Sequence, residues 1–400
     1  MQGYPDILKD EIKETKKLNP DPEEKGLTEK IIQRINEKGR ITFAEFMEES
    51  LHYPGLGYYE SGKNIIGTDG DYYTSPDIHP VFGRLIAKQL HQMAQILGGD
   101  RFDILEMGAG KGILARDILD CISKNYPDLF KKTNYIILDR STVLRDQQES
   151  LLLKFSDPTK RKVYWIRDLS ELPESLVGSI LSNEFFDALP VHRTAMVNGT
   201  LAELFVTHKD GMFIETADKP STEDLSRYLE RIRISLTEGS IAEINLEAIR
   251  MISRLGKILD KGFIITIDYG HHAYDLFSPA RRLGTLLCYH KHTLGTDPFI
   301  RIGEQDITTH IDFTSLSLSG KDVGLEVTGF TDQMSFLMGL GIAQEMESVP
   351  KEEFEAMKML ILPNDMGRTF KVLIQHKGID WPVLDGLKFK AFFDPTILTE

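Results

Sequence analysis

One eight-residue run constrains this 400-residue chain more than any other: Leu105-Glu106-Met107-Gly108-Ala109-Gly110-Lys111-Gly112. Phe102 to Met107 before it reads as a short buried strand, and Ile113 to Ile122 after it as an amphipathic helix. Glycines at alternate positions let the backbone turn sharply and approach a ligand without Cβ clashes. The helix N-terminus beyond offers unpaired N–H groups and a positive dipole end, suited to a carboxylate or a phosphate. Dinucleotide binders space their glycines G-x-G-x-x-G, which differs from the E-x-G-x-G-x-G found here. Glu106, closing the strand, would repel a pyrophosphate. It would accept a hydrogen bond from the ammonium of a methionine-derived sulfonium cofactor, S-adenosylmethionine.

The flanking sequence alternates strand and helix. Strands are expected at Tyr135 to Leu138, Val163 to Ile166, Ser179 to Ser182 and Phe263 to Ile267, with a helix at Thr142 to Phe155. Such alternation implies a parallel sheet covered by helices on both faces. The C-terminal end should add strands at Leu325 to Phe330 and Phe370 to His376, separated by helices. The expected fold is α/β: a Rossmann-like sheet with an N-terminal helical and aromatic extension. A mixed β-meander and helical insertion separates the fourth strand from the fifth. Asn198-Gly199 and Asp210-Gly211 mark hairpin turns in that insertion, and helices should follow at Leu225 to Leu236 and Ile244 to Leu259. The expected domains are a charged tail at 1–26 and a helical, Tyr/Gly-rich lid region at 27–99. A core covers 100–191 and 260–400, and a substrate-covering insertion covers 192–259. Pro80 opens a long helix in the lid region, and Thr42 with Glu45 stands at capping-box spacing.

Ligands of open α/β sheets lie beyond the carboxyl ends of the strands. Gly108, Gly110 and Gly112 with Glu106 are therefore expected to bind the cofactor. Asp139, at the end of the second strand, would take the ribose hydroxyls, and Asp168, past the third, the adenine amino group. The fourth strand delivers Asn183, Glu184 and Asp187. A carboxylate can fix a guanidinium through two hydrogen bonds and draw its charge to one side, leaving the opposite nitrogen to attack a methyl group. Glu184 is the expected clamp, with Asp187 a second carboxylate or a helix cap, and Asn183 orienting cofactor or substrate. The Tyr-rich stretch 53–73 would fold over the cofactor as a lid, Asp71 and Thr74 making polar contacts, or pack as an aromatic loop. Asp268-Tyr269-Gly270 should border the same cleft.

A net charge of −14 argues against a sequence-independent grip on nucleic acid. Two distant cysteines, Cys121 and Cys288, suggest a reducing compartment. The first residues read neither as a secretory signal nor, being acidic, as a mitochondrial transit peptide, and no apolar run approaches the ~18 residues that span a bilayer. The expected location is cytoplasmic, the alternative being a mature form already trimmed, and no membrane insertion is expected. His271-His272 and His290-x-His292 lack acidic or cysteine partners at ligand spacing, so no metal is expected. No Gly-x-Ser-x-Gly elbow or phosphate-binding G-x-x-x-x-G-K-[ST] loop is present.

Ser182-Asn183-Glu184-Phe185-Phe186-Asp187-Ala188-Leu189-Pro190-Val191 resembles the signature of the MidA family, which includes a mitochondrial complex I assembly methyltransferase. Other blocks carry the same likeness: Ile41-Thr42-Phe43, Gly57-Tyr58-Tyr59, Gly70-Asp71-Tyr72-Tyr73-Thr74-Ser75-Pro76, Asp268-Tyr269-Gly270, Gly284-Thr285-Leu286 and Asp306 to Phe313. Asp139 stands where the family more often has Glu, and Ala109 where it often has Pro. The resemblance implies a class I methyltransferase fold binding S-adenosylmethionine and, for the mitochondrial member, symmetric dimethylation of an arginine in a respiratory-complex subunit. The expected partner is thus a protein with an exposed arginine. A small-molecule methyltransferase, or an assembly factor that keeps the cofactor pocket without turnover, remain as alternatives.

Overall fold

The computed structural model describes residues 22–62, 67, 70, 71, 73–156, 162–172, 175–347 and 349–389, with side chains from residue 26 onward. In chain order its strands are β1 Ile41–Thr42, β2 Phe102–Met107, β3 Thr133–Leu138, β4 Val163–Ile166, β5 Leu176–Asn183, β6 His192–Val197, β7 Thr200–Lys209 and β8 Met212–Asp218. There follow β9 Ile241–Ile244, β10 Leu259–His271, β11 Leu287–His290, β12 Thr293–Gly295, β13 Asp306–Thr308, β14 Ile311–Asp312, β15 Glu326–Asp332 and β16 Phe370–Lys377. The chain divides into two compact units. One gathers residues 73–186, 251–270 and 316–400; the other gathers 1–72, 187–250 and 271–315.

The first of these units is the sheet unit. Its strands lie in the order β4-β3-β2-β5-β10-β16-β15. β4, β3, β2, β5 and β10 are parallel, while β16 runs antiparallel to both β10 and β15. This is the expected α/β sheet, with the last strand along the chain, β16, reversed. Ile104, Ile137, Val163, Leu181 and Ile265 belong to one core cluster with Phe82, Ile86 and Leu90 of the helix Val81–Leu97. β2 is buried at all six positions and β16 at seven of eight, so neither strand alternates between a buried and a solvated face. Gly98 and Gly99, at φ 68° and 74°, stop the helix.

The other unit holds the meander. Its larger sheet has the order β1-β7-β6-β9 with β8 paired to β7, and its smaller one the order β12-β11-β13. Both hairpin turns form as the dipeptides require: φ is 51° and 69° at Asn198-Gly199, and 53° and 81° at Asp210-Gly211. Phe43, Phe46, Phe213 and Phe299 pack as an aromatic cluster with centroids 5.1 to 6.3 Å apart. The Thr42–Glu45 capping box is present.

Four expectations need correction. The helix expected from Leu27 starts at Pro22 and ends at Lys38, so the boundary at 26 falls inside a helix; the remainder of the expected tail, 1–21, lies outside the described residues. The helix expected over 225–236 stops at Arg231, where Arg233 turns left-handed at φ 57°. Ile241–Ile244, whose last residue the expected helix included, is a strand paired with β6, His192 opposite Ile244. The domain boundaries also differ. Residues 27–72 join the meander, because β1 pairs with β7 (Ile41 opposite Val206), whereas the helix Val81–Leu97 joins the sheet unit. Residues 271–315, expected in the core, supply the small sheet, with Cys288 and Ile307 buried in the meander unit's core. Strands of three or four residues show too little alternation to be read as periods.

Candidate active site

The glycine loop follows β2 directly. Gly108, Gly110 and Gly112 all have left-handed backbones, with φ of 63°, 52° and 82°. The Gly108 N–H donates to the Leu138 carbonyl at 2.9 Å, folding the loop across the end of β3. A Cβ on Gly108 would sit 2.9 Å from Cδ2 of Phe185. The helix Ile113–Asn125 starts at Gly112 with no side-chain cap among the described residues, so its first N–H groups remain for a ligand.

Carboxylates line the same edge of the sheet. In neighbouring registers Leu138 lies opposite Met107, Met107 opposite Ser182, and Asn183 opposite Ile267. The carboxyl ends of β3, β2, β5 and β10 therefore stand side by side, about 5 Å apart from one strand to the next. Glu106, 3% exposed, accepts from the Tyr135 hydroxyl at 2.7 Å. Burial pushes its carboxyl up to about 7; the Tyr135 hydrogen bond pulls down and nearby Asp139 pushes further up. Asp139 accepts from Ser141 N–H at 3.0 Å and from Gln148 Nε2 at 2.8 Å, and burial raises it despite both bonds.

Gln148 was not anticipated. Its Nε2 also donates to the Gly110 carbonyl at 2.8 Å, and its Oε1 accepts from Trp165 Nε1 at 3.0 Å. One buried amide thus joins the glycine loop, Asp139 and β4. The available signal was a polar residue in the apolar stripe Leu144, Gln148, Leu152, all buried on one helical face.

At the tip of β5, Glu184 adopts φ 53°, a left-handed backbone uncommon outside glycine. Its Oε1 accepts from Asn183 Nδ2 at 2.9 Å and its Oε2 from the Tyr269 hydroxyl at 2.8 Å. The Ser75 backbone N–H donates to it as well. Burial pushes Glu184 up to about 7, these three donors working in the opposite direction and Asp77 adding to the rise. Tyr269 is fixed in turn by Phe370, with ring centroids 4.5 Å apart. Asp268 and Tyr269, expected at the border of the cleft, thus hold Glu184 directly or through its loop.

Other expected residues have different surroundings. Asp168 caps the turn at Leu169–Glu171 through Ser170 N–H and pairs with Arg254 at 2.7 Å. Its carboxyl is held well below the usual range, first by Arg254 and then by Ser170. Thr74 and Asp77 form a capping box at the start of the helix Ser75–Ile78, so Thr74 serves by presenting the Ser75 N–H. In the meander unit Asp71 accepts from the Tyr58 hydroxyl at 2.8 Å and from the Lys291 N–H at 2.6 Å, while its carbonyl accepts from His292 N–H. It holds the β11–β12 turn, in which Lys291 and His292 both have positive φ. Asp187 lies in the same unit, 3% exposed, with its carbonyl accepting from Thr309 N–H. A turn follows it and no helix, which removes the helix-cap alternative.

The strand-tip acids and positive-φ glycines are those a cofactor with an ammonium and a ribose needs, and residues 85–331 match the model of an S-adenosyl-L-methionine-dependent methyltransferase family. The chain belongs to this methyltransferase family. It is 28% identical to a Burkholderia thailandensis protein crystallised with S-adenosyl-homocysteine, at a TM-score of 0.84 over 93% of this chain and 98% of that one. The curated relatives include the mitochondrial protein arginine methyltransferase NDUFAF7 of Homo sapiens, 26% identical over 87% of this chain and 83% of the human protein. The Drosophila melanogaster homologue is 26% identical over 88% and 85%. This methyltransferase therefore uses S-adenosylmethionine, as the glycine loop implied. Gly108, Gly110 and Gly112 would hold its backbone-facing groups, Glu106 its ammonium and Asp139 its ribose.

The mitochondrial names of these relatives overturn the cytoplasmic location expected from composition. Compartment is set by receptor-read addresses, which bulk charge and cysteine content do not report. Among the described residues no helix is long and apolar enough to cross a membrane, and no cluster of His, Cys, Asp and Glu could hold a metal ion.

Proposed function

We propose that this methyltransferase acts on an arginine side chain of a protein partner. The observation that carries the reading is the carboxylate of Glu184, fixed by Asn183, Tyr269 and Ser75 one strand away from the glycine loop. A guanidinium stays protonated at any ordinary pH, so its nitrogens are poor nucleophiles unless an anion draws the charge aside. Glu184 would accept two of its N–H groups and leave the far nitrogen richer in electrons. Bound S-adenosylmethionine supplies a methyl group made electrophilic by the sulfonium. The nitrogen that gains this methyl group must lose a proton, and a carboxylate with a pKa of about 7 can accept it. Asn183 steadies Glu184.

The names of the relatives support the same substrate class and a mitochondrial setting. The family resemblance extends the proposal to a subunit of respiratory complex I as partner. Incubation with methyl-labelled cofactor and mitochondrial extract, followed by mass spectrometry, tests it. Label on arginine peptides is the expected result; label only on small molecules or on other residues overturns it.

A further inference from the structure

The left-handed backbone of Glu184 is held from β10. The Glu184 N–H donates to the Ile267 carbonyl at 3.0 Å. The next two N–H groups, of Phe185 and Phe186, both donate to Asp268 Oδ2, at 3.2 and 3.0 Å. Asp268 Oδ1 accepts from the Tyr269 N–H at 2.9 Å, and the residue is 0% exposed. Successive amides converging on one oxygen favour a carboxylate in its charged form. That charge lies one loop away from a second carboxyl, and two neighbouring acids resist ionising together.

We propose that Asp268 is a positioning residue for methyl transfer: it locks the turn that presents Glu184, and the two neighbouring carboxyls keep one proton between them until a guanidinium docks. The proposal rests on the reading of Glu184 as the arginine-holding carboxylate. On docking, a neutral carboxyl and a guanidinium cation become an ion pair and one proton passes to solvent. No bond other than that O–H is broken. The groups facing Glu184 are Asp268 and Tyr269 from β10, Asn183 from β5, and Asp77 and the Ser75 N–H from the helix Ser75–Ile78. Burial and the Glu184 charge drive Asp268 well above the ordinary range, as for two acids that resist ionising together.

The test is carboxyl-carbon NMR on the full chain with S-adenosyl-homocysteine, Glu184→Gln identifying the Glu184 signal. In Asp268→Asn the Glu184 midpoint should fall by about one pH unit or more. In Tyr269→Phe it should rise, because a hydrogen bond to the charged form is lost. A midpoint unmoved in Asp268→Asn, with the rest of the spectrum native, overturns the proposal. Should Asp268→Asn fail to fold, the reciprocal measurement decides. In Glu184→Gln the Asp268 midpoint should drop, and an unchanged value is equally fatal. With the extract's substrate, the acid limb of the pH–rate profile should shift downward in Asp268→Asn; a purely structural role would lower the rate alike at every pH. The titrations need no substrate, so they stay readable even where arginine methylation fails to appear.

Discussion

Tyr135 donates its hydroxyl to Glu106 across two neighbouring strands, at 2.7 Å, and both residues are buried. The bond keeps a carboxyl at the cofactor loop without a cation of its own. An arriving ammonium would supply that cation and lower the Glu106 pKa from about 7. A proton must therefore leave when cofactor binds at acidic pH. S-adenosyl-homocysteine affinity should rise between pH 6 and 8 in calorimetry, and Glu106→Gln should flatten the rise while weakening binding about 10- to 100-fold. A pH-independent affinity in the wild type would show that Glu106 does not meet the ammonium.

Gly110 turns at φ 52°, where a β-branched residue is strongly disfavoured. Gly110→Val should abolish cofactor binding, measured by calorimetry, while leaving a folded protein. Gly108→Ala carries two penalties, φ 63° and a Cβ 2.9 Å from the Phe185 ring. It should weaken binding about tenfold or more.

Glu184→Gln keeps the shape of the side chain and removes its charge. Cofactor affinity should change little, whereas the methylation rate should fall about 10²- to 10⁴-fold. A variant with wild-type turnover would take Glu184 out of the clamp.

Gln148→Leu leaves the Trp165 N–H, the Gly110 carbonyl and one Asp139 oxygen without their partner. A loss of about 1–3 kcal/mol is expected in chemical denaturation. Weaker cofactor binding should accompany it, because the loop and the ribose acid lose their common tie. Unaltered affinity in a destabilised protein would confine Gln148 to a structural task.

Thermal stability should fall between pH 4.5 and 8 in the ligand-free protein. Glu106, Glu184 and Asp306 all sit near 7 in the fold, raised by burial, while the unfolded chain ionises them near the ordinary carboxylate value. The folded state binds more protons through that window, so its advantage is complete below the lower value and lost as pH rises through the upper one. Melting curves across this range check the sign; a flat or rising profile would contradict it.

Much of the fold was legible because buried parallel strands announce themselves. Phe102–Met107 and Val163–Ile166 match their expected limits, and both hairpin dipeptides turn where they should. Positions at strand tips followed from the same pattern, so Glu106, Asp139 and Glu184 share one sheet edge as expected. What Asp71 and Asp168 hold in the fold was not legible, for a common reason. A carboxylate in a glycine-rich or strand-end segment looks the same whether it awaits a ligand or holds a turn, and Lys291, which engages Asp71, lies far along the chain.

The sequence by itself determined the strand–glycine loop–helix, the places of the central strands along the chain and the acids that end them, since these depend on local period and backbone freedom. Only the tertiary structure decided what secures them. Gln148 ties three segments, Asp268 grips the loop after β5, and Ser75 donates to Glu184 from outside the sheet. Such bonds join groups distant in sequence, and a hydrogen bond between distant groups leaves no period to read.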